Sequence, residues 1–187
     1  MKKTVILLAP GFEEMETVIP ADLLIRSKVQ VDFVSVCGEK TVKGSRGISL
    51  VSTVGTDALD LSYDAVVVPG GMPGATNLAA SSVVGKFLRS MFDSGKIVAA
   101  ICASPAVVLS PLGILSGKRF TCYPGMETEI DAGKSGGAVF CSDKVVVDGN
   151  LITSRGPGTA SDFGFAIIEA LLGKDAAESV GKGALFL

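Results

Sequence analysis

Hydrophobic positions in this chain gather into short continuous runs, and between the runs the spacing changes to a helical period or breaks at glycine and proline. Thr4 to Ala9, Ala65 to Pro69 and Ile97 to Ile101 have strand length and lack a polar face, the pattern of strands covered on both sides of a parallel sheet. Val29 to Val36 supplies a further strand. Glu13 to Ser27 and Ser82 to Ser94 read as helices, Thr159 to Leu172 as the last amphipathic helix, and Asp175 to Gly181 as a short one after it. Lys43 to Val54 reads as a hairpin excursion around Gly44 and Gly47, with Arg46 near its tip. From Arg119 the pattern turns to short strands and loops, RFTCYPG, GGAVFC and KVVVDGNLITS, with Asp148-Gly149 as a hairpin signal. Strands alternating with helices, with no linker or repeat, predict one α/β domain over residues 1–187, a three-layer sandwich around a mostly parallel sheet.

The stretch from Lys96 to Lys118 organises the rest, because it carries no charge between its two lysines. An apolar run of about 20 residues also has the length of a membrane span. Pro105, Pro111, Gly113 and the serines interrupt it, and β-branched residues cluster before Cys102 while Ala and Leu follow. The pattern therefore predicts a strand, Ile97 to Ile101, turning sharply at Cys102 into a helix that begins near Pro105. A cysteine at such a nucleophile elbow meets free backbone N–H groups and the positive end of a helix, which favour its thiolate. The alternative is a small buried hydrophobe, a common fate of free cysteine.

Composition narrows the chemistry. The chain has no histidine, which excludes Ser-His-Asp triads, Cys-His pairs and histidine-ligated metals. Its four cysteines, at 37, 102, 122 and 141, show no CxxC spacing, so neither a metal site nor a redox dithiol is expected, and they read as free thiols. Lys and Arg number 17 against 19 Asp and Glu, without a basic run, which argues against nucleic acid or an anionic membrane as partner. The opening MKKTVILLAPGFEEME is too short in its apolar part for a signal peptide and ends in glutamates, so a cytoplasmic location is expected.

Those glutamates, Glu13, Glu14 and Glu16, open the first helix after the first strand. They suit the helix dipole but would repel a phosphate, which disfavours a nucleotide or flavin at this turn. Dipole compensation accounts for at least two of them, while one carboxylate at the sheet's carboxyl edge is placed to face Cys102. The turn GGMPGATN matches neither phosphate-loop pattern and reads as a place of close backbone approach. SRGPGTAS reads chiefly as a helix-entry turn. Alternation puts Cys122 and Tyr123 on opposite faces, with Cys122 turned away from Cys102.

The segments EEMETVIPAD, DAVVVPGG, GATNL, AAICA, TSRGPGTA and AIIEALLGK resemble the ThiJ/PfpI superfamily, and within it the parkinsonism-associated DJ-one branch with its bacterial relatives, from Val5 to about Lys174. The resemblance implies a flavodoxin-like fold, a homodimer and a cofactor-free reactive cysteine. By position it implies Cys102 as nucleophile and oxidation-sensitive residue and Glu16 as its carboxylate partner. Gly70, Gly71 and Ala103 follow as the backbone set that holds an oxyanion, and Arg46 as an arginine approaching from the partner subunit. It also implies small dicarbonyls (methylglyoxal, glyoxal) or glycated proteins as substrates, or alternatively a peroxide-responsive sensor or chaperone acting through Cys102. Two departures matter. Tyr123 stands where many members carry a histidine, which disfavours the protease activity found elsewhere in the superfamily, and Ser104 stands where a glycine is common. The tail reads GALFL, so no longer C-terminal extension is expected.

Overall fold

In the computed structural model, which describes residues 1–131 and 133–186, six strands form one sheet. They are β1 (Lys3–Leu8), β2 (Gln30–Ser35), β5 (Ala65–Val68), β6 (Ile97–Ile101), β9 (Val145–Asp148) and β10 (Leu151–Ser154), in the order β2-β1-β5-β6-β10-β9. All neighbours run parallel except the β9–β10 hairpin, which closes at the Gly149-Asn150 turn as the Asp148-Gly149 signal implied. The apolar runs occupy the middle of the sheet: every residue of β5 and β10 is buried, as are five of six in β1, whereas the edge strands β2 and β9 are only partly covered. A continuous apolar run is the sequence form of a strand with helices on both faces.

Helix α1 (Glu14–Arg26) packs on α4 (Ala160–Leu172), which packs on α5 (Lys174–Gly183), while α3 (Ser82–Asp93) covers β5 and β6. Pro20 lies buried inside α1, whose backbone there comes close to α4 at Gly164; a Cβ on that glycine would stand 2.9 Å from Leu23 Cδ1 and 3.3 Å from the Pro20 Cα. The hairpin excursion is present as β3 (Thr41–Lys43) and β4 (Ser49–Val51), a separate two-stranded ribbon with Arg46 at its tip. A second small pair, β7 (Arg119–Phe120) with β8 (Val139–Phe140), accounts for two of the short segments after Arg119.

Two expectations are corrected. The glycine-rich turn after β5 is shorter than its composition suggested, because α2 (Gly74–Ala80) begins inside GGMPGATN. The helix expected near Pro105 is one π-helical turn, Pro105–Leu109, running into a 3₁₀ turn, Ser110–Leu112, that stops at left-handed Gly113. Pro111, which lacks the N–H an α-helix needs, and Gly113 set that short length.

β1–α1–β2 winds one way from β1, and β5 and β6 wind the other. The sheet order therefore reverses between β1 and β5, the place where open α/β sheets leave a crevice at their carboxyl edge.

Candidate active site

Cys102 follows β6 directly at this carboxyl edge with φ +64°, a left-handed backbone rare for a residue with a Cβ. Three bonds hold it there. Its N–H donates to the Ser154 carbonyl at 2.9 Å, its carbonyl accepts from the Tyr123 N–H at 2.8 Å, and the next side chain but one, Ser104 Oγ, donates to the Pro69 carbonyl at 2.6 Å. The turn after β6 is thereby tied to the ends of both β5 and β10. Ser104, which stands where a glycine is common, thus ties the turn down.

Glu16, in the first turn of α1, is fully buried. Glu13 caps the helix by accepting the Glu16 N–H at 2.8 Å, and the Gly70 N–H donates to Glu16 Oε2 at 2.8 Å. Oε1 accepts no hydrogen bond of good geometry among the described residues. Gly70 was expected in the anion-binding set, but its N–H is committed to this carboxyl, so it positions Glu16 instead. Its lack of a side chain is also required: a Cβ would lie 2.6 Å from Cys102 Cβ and 2.8 Å from Glu16 Oε2. The N–H groups of Gly71 and Ala103 are directed at the Cys102 sulfur and favour its charged form.

The carboxyl and the thiol are close enough to set each other's acidity. Burial raises Glu16 from 4.5 to about 7, against the lowering effect of its contacts with the Cys102 thiol and the Gly70 N–H, with the Glu13 charge adding to the rise. Burial likewise pushes the Cys102 thiol up to about 12, reinforced by the charge of Glu16 and its contact with it, while the Gly71 and Ala103 amides pull the other way. This corrects the expectation of a thiolate favoured by a helix start. The helical turn that follows is short, and burial beside a carboxylate outweighs it. Glu16 therefore gives up its proton near neutrality while Cys102 keeps its own, so that above pH 7 the negative charge rests on the carboxylate and the proton on the sulfur.

Cys102 lines a cleft of about 790 Å³ bordered by Glu13, Arg46, Gly71, Tyr123, Glu129 and Pro157, with Glu16 buried behind it. Arg46 borders the cleft of its own chain, from the tip of the β3–β4 ribbon. Tyr123 is half exposed along the cleft, whereas Cys122 is fully buried and absent from its lining, so the two neighbours do face different surroundings. SRGPGTAS is more than a helix entry. Pro157 lines the cleft, and a Cβ on Gly156 would stand 3.4 Å from the Tyr123 ring and 3.9 Å from Glu16 Oε1. Glu14 was assigned to dipole compensation, yet its carboxyl accepts hydrogen bonds from the ribbon tip.

Residues 2–170 match the DJ-1/PfpI family. The chain belongs to that family. It is 43% identical over 187 residues to protein dj-1beta of Drosophila melanogaster, covering 98% of this chain and 97% of the relative. It is 37% identical over 183 residues to the glutathione-independent glyoxalase DJR-1.2 of Caenorhabditis elegans, covering 97% and 95%. Among solved structures, oxidized Toxoplasma gondii DJ-1 superposes with a TM-score of 0.91 at 33% identity, covering 99% of this chain and 98% of that one. The mostly parallel sheet with flanking helices is thus the architecture of DJ-1 family structures. No helix among the described residues is long and apolar enough to cross a membrane.

Proposed function

We propose that the chain is a cofactor-free glyoxalase-type enzyme that converts small dicarbonyls such as methylglyoxal to hydroxy acids. The observation that carries this reading is Cys102 on the lining of a cleft with the buried Glu16 carboxyl, which titrates near neutrality, against its thiol and two backbone amides facing the sulfur. Likeness to the worm glyoxalase supports the same chemistry.

Cys102 sulfur adds to the aldehyde carbon of methylglyoxal, and the thiol proton passes to the aldehyde oxygen, giving a hemithioacetal. The Gly71 and Ala103 amides stabilise negative charge on sulfur before attack and on oxygen after it. Glu16, as carboxylate, takes the proton from the former aldehyde carbon, giving an enediolate as the hydroxyl proton passes from the first oxygen to the second, and returns its proton to the adjacent carbon as the first carbon becomes the carbonyl. The product is a thioester of lactate. Water cleaves the thioester, releasing lactate and regenerating the thiol. A carboxyl that titrates near 7 exchanges protons readily at neutral pH, which this double transfer requires. Arg46 at the rim offers a cation to the carboxylate product, and Tyr123 forms a wall in place of a histidine. Removal of early glycation adducts from proteins would draw on the same residues.

The test is methylglyoxal consumption with lactate release in thiol-free, metal-free buffer, for the native protein, Cys102→Ser and Glu16→Gln. Turnover in the native protein that is lost in both variants supports the reading; absence of native turnover rejects it.

A second reading draws on the buried carboxyl and the amides at sulfur. Cys102 thiolate attacks a peroxide, releasing hydroxide and forming a sulfenic acid, and a second peroxide oxidises this to sulfinate. Protonated Glu16 donates to a sulfinate oxygen. Mass spectrometry of Cys102 after mild peroxide separates this reading, since here Glu16→Gln alters sulfinate yield while dicarbonyls go unconsumed.

Further parts of the proposal are that residues 1–187 act as one domain, that the protein works in the cytoplasm, and that it forms a homodimer. For the dimer, the support is a set of exposed apolar side chains shared by α1 and the ribbon: Met15, Val18, Ile25, Ile48 and Val51.

A further inference from the structure

Glu14 takes no part in the chemistry above, yet it is a carboxylate only 5% exposed in the first turn of α1. A charge so deeply buried requires compensation. The compensation comes from the tip of the β3–β4 ribbon. Glu14 Oε1 accepts the Arg46 N–H at 2.7 Å and the Ile48 N–H at 3.3 Å, and Oε2 accepts the Ser45 hydroxyl at 3.3 Å. Gly44 completes the fit, since a Cβ there would lie 2.5 Å from Oε1. Among the described residues the ribbon belongs to no larger sheet, so its placement over the cleft depends on contacts of this kind. Two backbone bonds fix the neighbouring chain, Gly11 N–H to the Lys43 carbonyl and Ser45 N–H to the Phe12 carbonyl, both at 2.8 Å. Beyond Ser45, the carboxyl of Glu14 satisfies the Arg46 and Ile48 amides, while the Gly47 N–H turns back to the Gly44 carbonyl.

Ser45 and Arg46 border the cleft, and the other charged residues on its lining are the acidic Glu13 and Glu129. Without a fixed Arg46 the mouth of the cleft is anionic. We propose that Glu14 is a positioning residue: its buried carboxyl latches residues 44–48 to α1 and so sets Arg46 where it admits anionic groups to Cys102. This rests on the reading of Cys102 as the reacting atom, and it makes Arg46 the residue that decides the charge of the ligand accepted. Glu14 sits two positions before Glu16 on the same helix turn, so one element carries both the carboxyl at the sulfur and the latch for the rim.

The experiment compares alkylation of Cys102 by iodoacetate, an anion, and iodoacetamide, its neutral counterpart, with the Cys102 peptide quantified by mass spectrometry. The expected result is a fall of about threefold or more in the iodoacetate-to-iodoacetamide rate ratio for both Glu14→Gln and Arg46→Ala, with Glu14→Asp retaining most of the native ratio. Hydrogen exchange at the Arg46 and Ile48 amides is expected to quicken about tenfold or more in Glu14→Gln. Should Glu14→Gln fail to fold, Gly44→Ala breaks the same latch from the ribbon side. An unchanged ratio in Arg46→Ala, or a native ratio in a folded Glu14→Gln or Gly44→Ala, overturns the proposal. The readout needs no dicarbonyl turnover. A native protein inactive on methylglyoxal but showing the expected ratios would reject the glyoxalase reading and leave the latch in place.

Discussion

The Gly70 N–H donates to Glu16 Oε2 at 2.8 Å, and the side chain that Gly70 lacks is the space in which Glu16 and Cys102 approach each other. One residue thus both orients the carboxyl and permits the contact. Gly70→Ala places a methyl group between the two and is expected to cost about 2 kcal/mol of stability. Displacing the carboxyl by about 1 Å is expected to lower dicarbonyl turnover about 100-fold. Denaturant titration and lactate release measure the two effects; a Gly70→Ala protein with native turnover would contradict this account.

Glu16 also makes stability depend on pH. Folded Glu16 titrates near 7, whereas its ordinary value is 4.5, so between those values the folded protein holds a proton that the unfolded chain has released. The group's contribution is fully present below pH 4.5 and is lost as pH rises towards 7, a change of about 3 kcal/mol over the window. Glu16→Gln has no such proton to lose. Its stability relative to the native protein is expected to rise by a comparable amount from pH 4.5 to pH 8, measured by urea unfolding at both. A constant difference would show that the carboxyl is not perturbed.

Tyr123 is half exposed, so replacing it need not disturb the core. Tyr123→His puts a base that titrates near neutrality beside the cleft, about 10-fold faster turnover at pH 7 being the expected result. The rate should follow the ionisation of the new imidazole. A variant no faster than the native protein would mean that Glu16 alone carries the proton traffic.

Gly164 tests the packing of α1 on α4. Valine there would drive its Cβ to 2.9 Å from Leu23 Cδ1, and the backbone at Pro20 leaves little room to yield. Gly164→Val is expected to lower stability by about 2 kcal/mol despite its gain in apolar volume, as read by thermal or denaturant unfolding.

Most of the sheet was legible because buried strands write themselves as uninterrupted apolar runs; Ile97–Ile101 matches its expected limits at both ends. The helix expected after Cys102 was not, since Ala, Val and Leu in that stretch suit an α-helix, and only the positions of Pro111 and Gly113 forced the π and 3₁₀ turns. α2 was hidden because its first residues, Gly74-Ala75-Thr76-Asn77, look like loop. At the site, resemblance and chemistry together pointed to Cys102 and Glu16. Which backbone N–H groups remain free for a ligand is a matter of hydrogen-bond geometry, and no residue type records that Gly70 is committed while Gly71 is not. Glu14 was missed for a similar reason: its partners are amides of a ribbon more than thirty residues away.

The left-handed backbone of Cys102 makes a cysteine here a thermodynamic liability. At φ +64° a residue with a Cβ gives up about 1 kcal/mol that glycine would not. Cys102→Gly is therefore expected to melt at a higher temperature than Cys102→Ala, while both are inert towards alkylation at this position. Variation filtered for thermal stability alone would tend to erase this cysteine. Its presence at a position that favours glycine is the cost that the proposed role as nucleophile would carry.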